Sequence, residues 1–204
     1  MPQRVSQDMV AVTALEPDAQ LMLRVKDGDA ASFGLLLERH RAPVVHFVYR
    51  MVRNQAVAEE LAQEVFLRVY RARTNYEPTA KFTTWLFRIA MHLALNCLRD
   101  GRMERCQESL DLNGPEPARQ VPDRRPTIEQ DLVSEVRLAE VRRAIETLPS
   151  KQRAAVLMHK YQEMEYSQIA RVLSCSESAV KSLLFRAYET LRARLAHLAG
   201  GGKT

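Results

Sequence analysis

Apolar residues return every third or fourth position through most of this chain, the period of helices with one buried face. The spacing predicts a first helix from Asp18 to Lys26, stopped by Asp27-Gly28-Asp29. A second helix starts near Ala31 and carries Phe33, Leu36, Leu37, Val44, Val45, Val48 and Val52 on one stripe. Pro43 lies inside it and predicts a kink or a shift in packing, because proline donates no backbone hydrogen bond. Asn54 is a natural N-cap for a third helix, whose Val57, Leu61, Val65 and Val69 lie one turn apart. A fourth begins at Thr83 or Thr84 and turns Leu86, Ile89, Ala90, Leu93 and Cys97 inward. These four helices can share one core that ends near Arg105.

The pattern then breaks. Residues 107–127 hold four of the nine prolines, an Asn113-Gly114 turn signal and few large apolar side chains, which reads as an extended linker. Helical periodicity resumes near Ile128 with Leu132, Val136, Leu138, Val141, Ile145 and Leu148. Pro149 interrupts it, and Ser150 is positioned to cap Lys151–Tyr161. The stretch from Tyr166 to Ala187 reads as two short helices joined by a tight turn, the second continuing to about Leu198. The expected organisation is all-α: a tail at 1–16, a helical domain at 17–105, a linker at 106–127, a second helical domain at 128–199, and a tail at 200–204.

In the 166–187 segment, Ile169, Ala170, Leu173, Cys175, Val180 and Leu183 close the two helices on each other. Ala170 falls at the crossing, where a small side chain is needed, and Ser174 holds a turn position that often carries glycine. The outward face of the second helix is left with Ser178, Lys181, Ser182, Phe185 and Arg186. A donor-rich helix presented by another helix suits the major groove of DNA. A plain helical hairpin is the alternative for this segment alone.

Composition narrows the choices. With 46% hydrophobic and 27% charged residues the chain can bury a core. The formal charge of +5 permits an anionic partner without requiring one. Cys97, Cys106 and Cys175 form no CxxC pair, which disfavours a disulfide framework or a zinc site. Cys97 and Cys175 fall at apolar positions, and Cys106 lies in the linker. No apolar run approaches the roughly 20 residues of a membrane span, and a signal peptide is a poor reading of the N-terminus. The five histidines are scattered, and HExxH, GxSxG and a glycine-rich phosphate loop are all missing from the sequence. No catalytic residue, cofactor or metal is expected.

Two more surfaces stand out. The third helix crowds Glu59, Glu60, Gln63 and Glu64 on its exposed side, a patch that repels DNA and suits a basic protein partner. Arg71–Arg105 instead holds seven basic and three acidic residues, interleaved with Tyr76, Phe82, Trp85 and Phe87. Arg88, His92, Asn96 and Arg99 make a polar stripe on the fourth helix, with Trp85 at its head. Cations beside aromatic faces suit opened nucleic acid more than intact duplex. A solvated helix face with Trp85 in the core is the simpler account of this stripe.

In order, these segments resemble a family. AEELAQEVFLRVYRA at 58–72, KFTTWLFRIAMHLALNCLR at 81–99, AIETLPSKQRAAVLMHKYQEMEYSQIARVL at 144–173 and SESAVKSLLFRAYETLRARL at 176–195 are similar to the bacterial extracytoplasmic function (ECF) sigma factors, over about residues 18 to 198. The resemblance implies a promoter-specificity subunit of RNA polymerase, acting in the cytoplasm without catalysis of its own. It implies docking of Glu59, Glu60, Gln63 and Glu64 in region two on the clamp helices of the polymerase β′ subunit, with the β flap as a further contact. It implies capture of a flipped base of the minus-ten element by the loop Thr74–Phe82, with Asn75, Tyr76, Lys81, Trp85, Arg88, His92 and Asn96 along the opened strand. It implies reading of the minus-thirty-five element by Ser178, Lys181, Ser182, Phe185 and Arg186 in region four. Any anti-sigma factor would be a separate protein. The chain departs from the family where His92 replaces an asparagine and Ser174 a glycine. A stand-alone helix-turn-helix regulator would account for residues 166–187 but leave the acidic third helix and the Trp85 stripe without work.

Overall fold

The computed structural model describes residues 16–100 and 128–199, with side chains from 137 onward in the second stretch. Residues 1–15 of the expected N-terminal tail, the C-terminal tail, the linker at 106–127 and Cys106 lie outside the described residues. Glu16, expected to end the tail, instead stands at the start of the first helix and accepts the Phe82 amide at 2.9 Å.

Four helices build the first module: α1 (Pro17–Lys26), α2 (Ala30–Val52), α3 (Gln55–Arg71) and α4 (Phe82–Arg99), with a 3-10 turn at Ala72–Asn75. The chain turns from α1 to α2 through Gly28 at φ 99°, a conformation that glycine adopts without steric penalty. Asp29 caps α2 by accepting from the Ala31 and Ser32 amides at 2.9 and 3.3 Å. Asn54 caps α3 from Oδ1, accepting the Val57 amide at 3.0 Å as its sequence position predicts. Leu36, Val44, Val48, Met51 and Val52 of α2 are fully buried. They meet Val65 and Val69 of α3 and Leu86, Phe87 and Ala90 of α4 in one apolar cluster. Phe47 and Phe87 pack edge to face with centroids 5.3 Å apart. Helix α2 runs through Pro43 as one element.

The second module comprises α5 (Ile128–Glu146), α6 (Ser150–Tyr161), α7 (Tyr166–Leu173), α8 (Glu177–Arg194) and a last turn, α9 (Ala196–Ala199). Its centre is Ala154–Met158 of α6, Ile169 and Val172 of α7, and Val180, Leu184 and Ala187 of α8, all buried. Cys97 is buried in the first module, and Cys175 is only half-buried in the second.

Three boundaries differ from expectation. Helix α4 starts at Phe82, one or two residues early. Ser150 is the first helical residue of α6 and not its cap, since Pro149 takes the capping position with no side-chain bond. The last long helix stops at Arg194, with Leu195 separating it from α9.

The two modules pack together. Helix α7 lies against α4 and α6 against α2, and the buried apolar side chains of both modules form a single cluster. Polar contacts border this junction. Arg153 Nη1 donates to the Met51 carbonyl at 2.9 Å, Arg53 pairs with Glu146, and the Arg50 guanidinium sits 3.9 Å over the Tyr161 ring. Arg171 Nη1 donates to the Thr79 carbonyl at 3.3 Å.

Candidate functional site

Three exposed surfaces carry the candidate residues. On α3, Leu61, Val65 and Val69 turn inward, which forces Glu59, Glu60 and Gln63 outward, all exposed, and leaves Glu64 half-buried. Glu59 accepts from Gln55 at 2.7 Å. Glu64 accepts from Arg68 Nε at 2.7 Å, and that bond holds its carboxyl below the usual range, aided by the charges of Arg68 and Arg71. Glu64 is thereby held in its ionised form.

The same face continues into apolar surface that the sequence reading missed. Leu67 is 49% exposed and Tyr70 40% exposed. Phe33 of α2 packs on Tyr70 at 5.0 Å, and Arg73 lies 4.1 Å over the same ring. Leu67 and Tyr70 stand four and seven residues beyond Gln63, out of step with the buried stripe, and that phase was the available signal.

The aromatic-basic surface divides in two. Lys81, Arg88, His92 and Asn96 are exposed and share one face of α4, with Trp85 half-buried at its head and Asn75 exposed on the 3-10 turn. His92 donates from Nδ1 to the Arg88 carbonyl at 2.7 Å, which leaves Nε2 outward as the available ring nitrogen. Tyr76 does not join this face. It is buried, its ring 5.1 Å from Trp85 and 6.4 Å from Phe82. Among the described residues its hydroxyl is enclosed without a partner. Burial pushes the phenol up to about 12, with Glu16 and Asp18 adding to the effect.

The third surface is the helix-turn-helix. Ser174 takes the left-handed conformation at φ 51°, and the Cys175 amide donates back to the Ala170 carbonyl at 3.0 Å, closing α7. Ser176 then caps α8 by accepting the Ala179 amide at 3.2 Å. With Val180 and Leu184 buried, α8 presents Ser178, Lys181, Ser182, Phe185 and Arg186, all exposed. Phe185 is 67% exposed, the largest value among the exposed large apolar residues. Ser182 donates to the Ser178 carbonyl at 3.0 Å.

Both halves of the chain match known family descriptions, "Sigma-70 region 2" over residues 36–103 and "Sigma-70, region 4" over residues 138–191. The chain is 34% identical to RNA polymerase sigma factor CarQ of Myxococcus xanthus, over 87% of this chain and 97% of that protein. It is 31% identical to the ECF RNA polymerase sigma-E factor of Escherichia coli, over 85% of this chain and 92% of that one.

The chain belongs to the RNA polymerase sigma factors of the ECF group.

Solved structures agree on the fold. CnrH, determined in complex with the cytosolic domain of CnrY, matches with a TM-score of 0.65 at 21% identity, over 89% of this chain and 99% of that one. The sigma factor RpoE of Bartonella quintana, determined with the anti-sigma factor NepR, matches with a TM-score of 0.60 at 19% identity, over 80% and 96%. As a sigma factor the chain binds core RNA polymerase and promoter DNA in transcription initiation, and is not a stand-alone regulator. Among the described residues no helix is long and apolar enough to cross a membrane.

Proposed function

We propose that this sigma factor divides its work among the three surfaces. The α3 face, with Glu59, Glu60, Gln63 and Glu64 continued by Leu67 and Tyr70, docks on core polymerase. Its carboxylates complement a basic partner, and the adjoining apolar patch supplies area removed from water. The 74–82 loop and the α4 stripe of Asn75, Lys81, Trp85, Arg88, His92 and Asn96 hold the opened strand of the minus-ten element, with Tyr76 supporting Trp85 from beneath. The α8 face of Ser178, Lys181, Ser182, Phe185 and Arg186 reads the minus-thirty-five element in the major groove.

The observation that carries this reading is the segregation of chemistry. An acidic-apolar face, an aromatic-basic face and a donor-bearing helix occupy separate elements of one chain. Unpairing and unstacking a base costs a few kcal/mol, and a surface that binds only extruded bases offsets that cost. The protein works by binding alone, in the cytoplasm beside polymerase, and a separate anti-sigma protein is its regulator. The neighbour solved with the anti-sigma factor NepR supports that last assignment.

Run-off transcription with purified core polymerase and genomic fragments tests the whole. Discrete start sites that depend on this chain are expected, and none with core alone. Wild-type output after reversing the α3 face, or after neutralising the α4 stripe, would remove that surface from the scheme.

A further inference from the structure

Helix α4 lacks a local cap. Lys81 precedes it and makes no side-chain bond to its first turn, and an ammonium cannot accept an amide proton. The missing acceptor comes from 66 residues upstream. Glu16 Oε2 accepts the Phe82 amide at 2.9 Å. Glu16 makes no side-chain bond to the start of its own helix α1, so its carboxylate is committed to α4. The other end of α1 acts on the other end of the same loop, where Lys26 Nζ donates to the Tyr76 carbonyl at 3.1 Å.

Helix α1 is itself held down. Asp18 is buried against α2, 2.8 Å from His40 Nε2 and paired with Arg39. The His40 ring in turn lies 5.4 Å from the Phe82 ring. So the first and last turns of one short anchored helix grip residues 82 and 76, the two ends of the stretch of the 74–82 loop that runs from the 3-10 turn to the Trp85 stripe.

We propose that α1 is a brace that sets the shape of the strand-capture loop, with Glu16 and Lys26 as its positioning residues. The proposal rests on the reading that this loop and the α4 stripe hold the opened minus-ten strand. It goes beyond that reading because both residues lie outside the region 2 match, which begins at residue 36. Neither needs to touch DNA. A backbone fixed at both ends is pre-organised for an extruded base, so less ordering remains when the strand opens. Losing either grip leaves core docking intact, because the α3 face is built elsewhere.

The test uses full-length chain and core polymerase. Glu16→Ala and Lys26→Ala are each expected to lower open-complex formation on a duplex promoter roughly tenfold, the scale of one charged hydrogen bond. Permanganate reactivity of unpaired thymines reads this directly. The loss should shrink on a template already unpaired at the minus-ten element, and core affinity should be unchanged. Glu16→Gln keeps an acceptor and Lys26→Arg keeps a donor, so both should restore most of the opening. Faster hydrogen exchange at the Phe82 amide in Glu16→Ala reports the broken bond independently of activity. Alanine variants that open duplex promoters at the wild-type rate would overturn the brace, as would losses matched by equal losses of core affinity. Asn75→Ala and Lys81→Ala separate the two levels. If these loop variants fail to open promoters while Glu16→Ala and Lys26→Ala succeed, the brace falls and the loop reading stands. If the loop variants also open promoters normally, the loop reading falls first.

Discussion

Arg153 of α6 reaches the Met51 carbonyl in the last turn of α2, 2.9 Å away, and joins the two modules. That carbonyl is one of the four that a helix leaves unpaired at its C-terminus, where a cation is also favoured by the helix dipole. The same guanidinium donates to the Glu146 and Leu148 carbonyls at the end of α5. One side chain thus closes the ends of two helices in different modules. Burial, with the nearby Arg53 charge, pulls the Arg153 guanidinium below its ordinary value, yet Arg remains charged at any working pH. Replacing Arg153 with Met strands these acceptors and is expected to destabilise the closed arrangement by about 1.5–3 kcal/mol. Calorimetry is then expected to resolve two unfolding transitions in the variant and one in wild type, whose modules share a single apolar cluster. A single transition at the wild-type temperature would show that the shared apolar core suffices.

The acidic and apolar parts of the α3 face make separate predictions. Glu60→Lys with Glu64→Lys should weaken core binding and steepen at low salt, because like charges then face the basic partner. Leu67→Ala should weaken binding at all salt concentrations, because only apolar area is lost. Neither should change helicity, since these side chains point outward. Titrating labelled protein with core polymerase at two ionic strengths distinguishes them. Unaltered affinity in both variants would remove α3 from the interface.

Tyr76 offers a test of burial. Its hydroxyl is enclosed with no partner among the described residues, so Tyr76→Phe removes a desolvated polar group without changing ring packing. The expected effect at pH 7 is an unchanged or higher urea midpoint, since deleting an unpaired hydroxyl is close to neutral or stabilising. The alkaline limb should differ more. The phenol rises from 10.0 to about 12 on folding, so the folded chain holds its proton where the unfolded chain releases it. Stability is full below pH 10 and falls as pH climbs through about 12. Tyr76→Phe should flatten that fall by one proton. A midpoint that drops at pH 7 would point to a hydrogen bond that the phenol makes.

Ser174 carries a backbone conformation that L-residues adopt reluctantly, at φ 51° and ψ 49°. Ser174→Gly should stabilise the second module by up to about 1 kcal/mol, the scale of the left-handed penalty. A thermal melt measures it, and a lower melting temperature would mean that the Ser174 side chain contributes a contact outweighing the strain.

What the sequence made legible follows from where each determinant lies. Local determinants could be read: Asn54 caps α3, and the phases of α4 and α8 expose Arg88, His92, Asn96, Lys181 and Arg186. Determinants held elsewhere in the chain could not. Helix α4 begins early because its cap is Glu16, which no local signal announces. Tyr76 looked like a surface aromatic beside charge, but Phe82 and Trp85 enclose it. The Arg153–Met51 contact spans 102 residues and joins modules whose arrangement periodicity leaves open.

The recognition helix makes the sharpest prediction about specificity. Val180 and Leu184 are buried, which fixes the opposite direction for Lys181, Ser182, Phe185 and Arg186. Arg186 has a planar fork that can pair with the two acceptors of a guanine edge, whereas Lys181 is a point charge suited to phosphate. Arg186→Ala should therefore cost roughly 1–3 kcal/mol and relax preference at one base position. Lys181→Ala should weaken all promoters alike and lower the salt dependence by about one phosphate contact. Phe185 stands far enough out to pack on a thymine methyl, so Phe185→Ala should reduce preference for thymine at its position. Ser182 already donates to the Ser178 carbonyl, so its oxygen is left to accept, and Ser182→Ala should have the smallest effect of the four. Transcription from a randomised minus-thirty-five library reads all four outcomes at once. A library profile that stays the same with alanine at all four positions would mean that α8 does not read the upstream element.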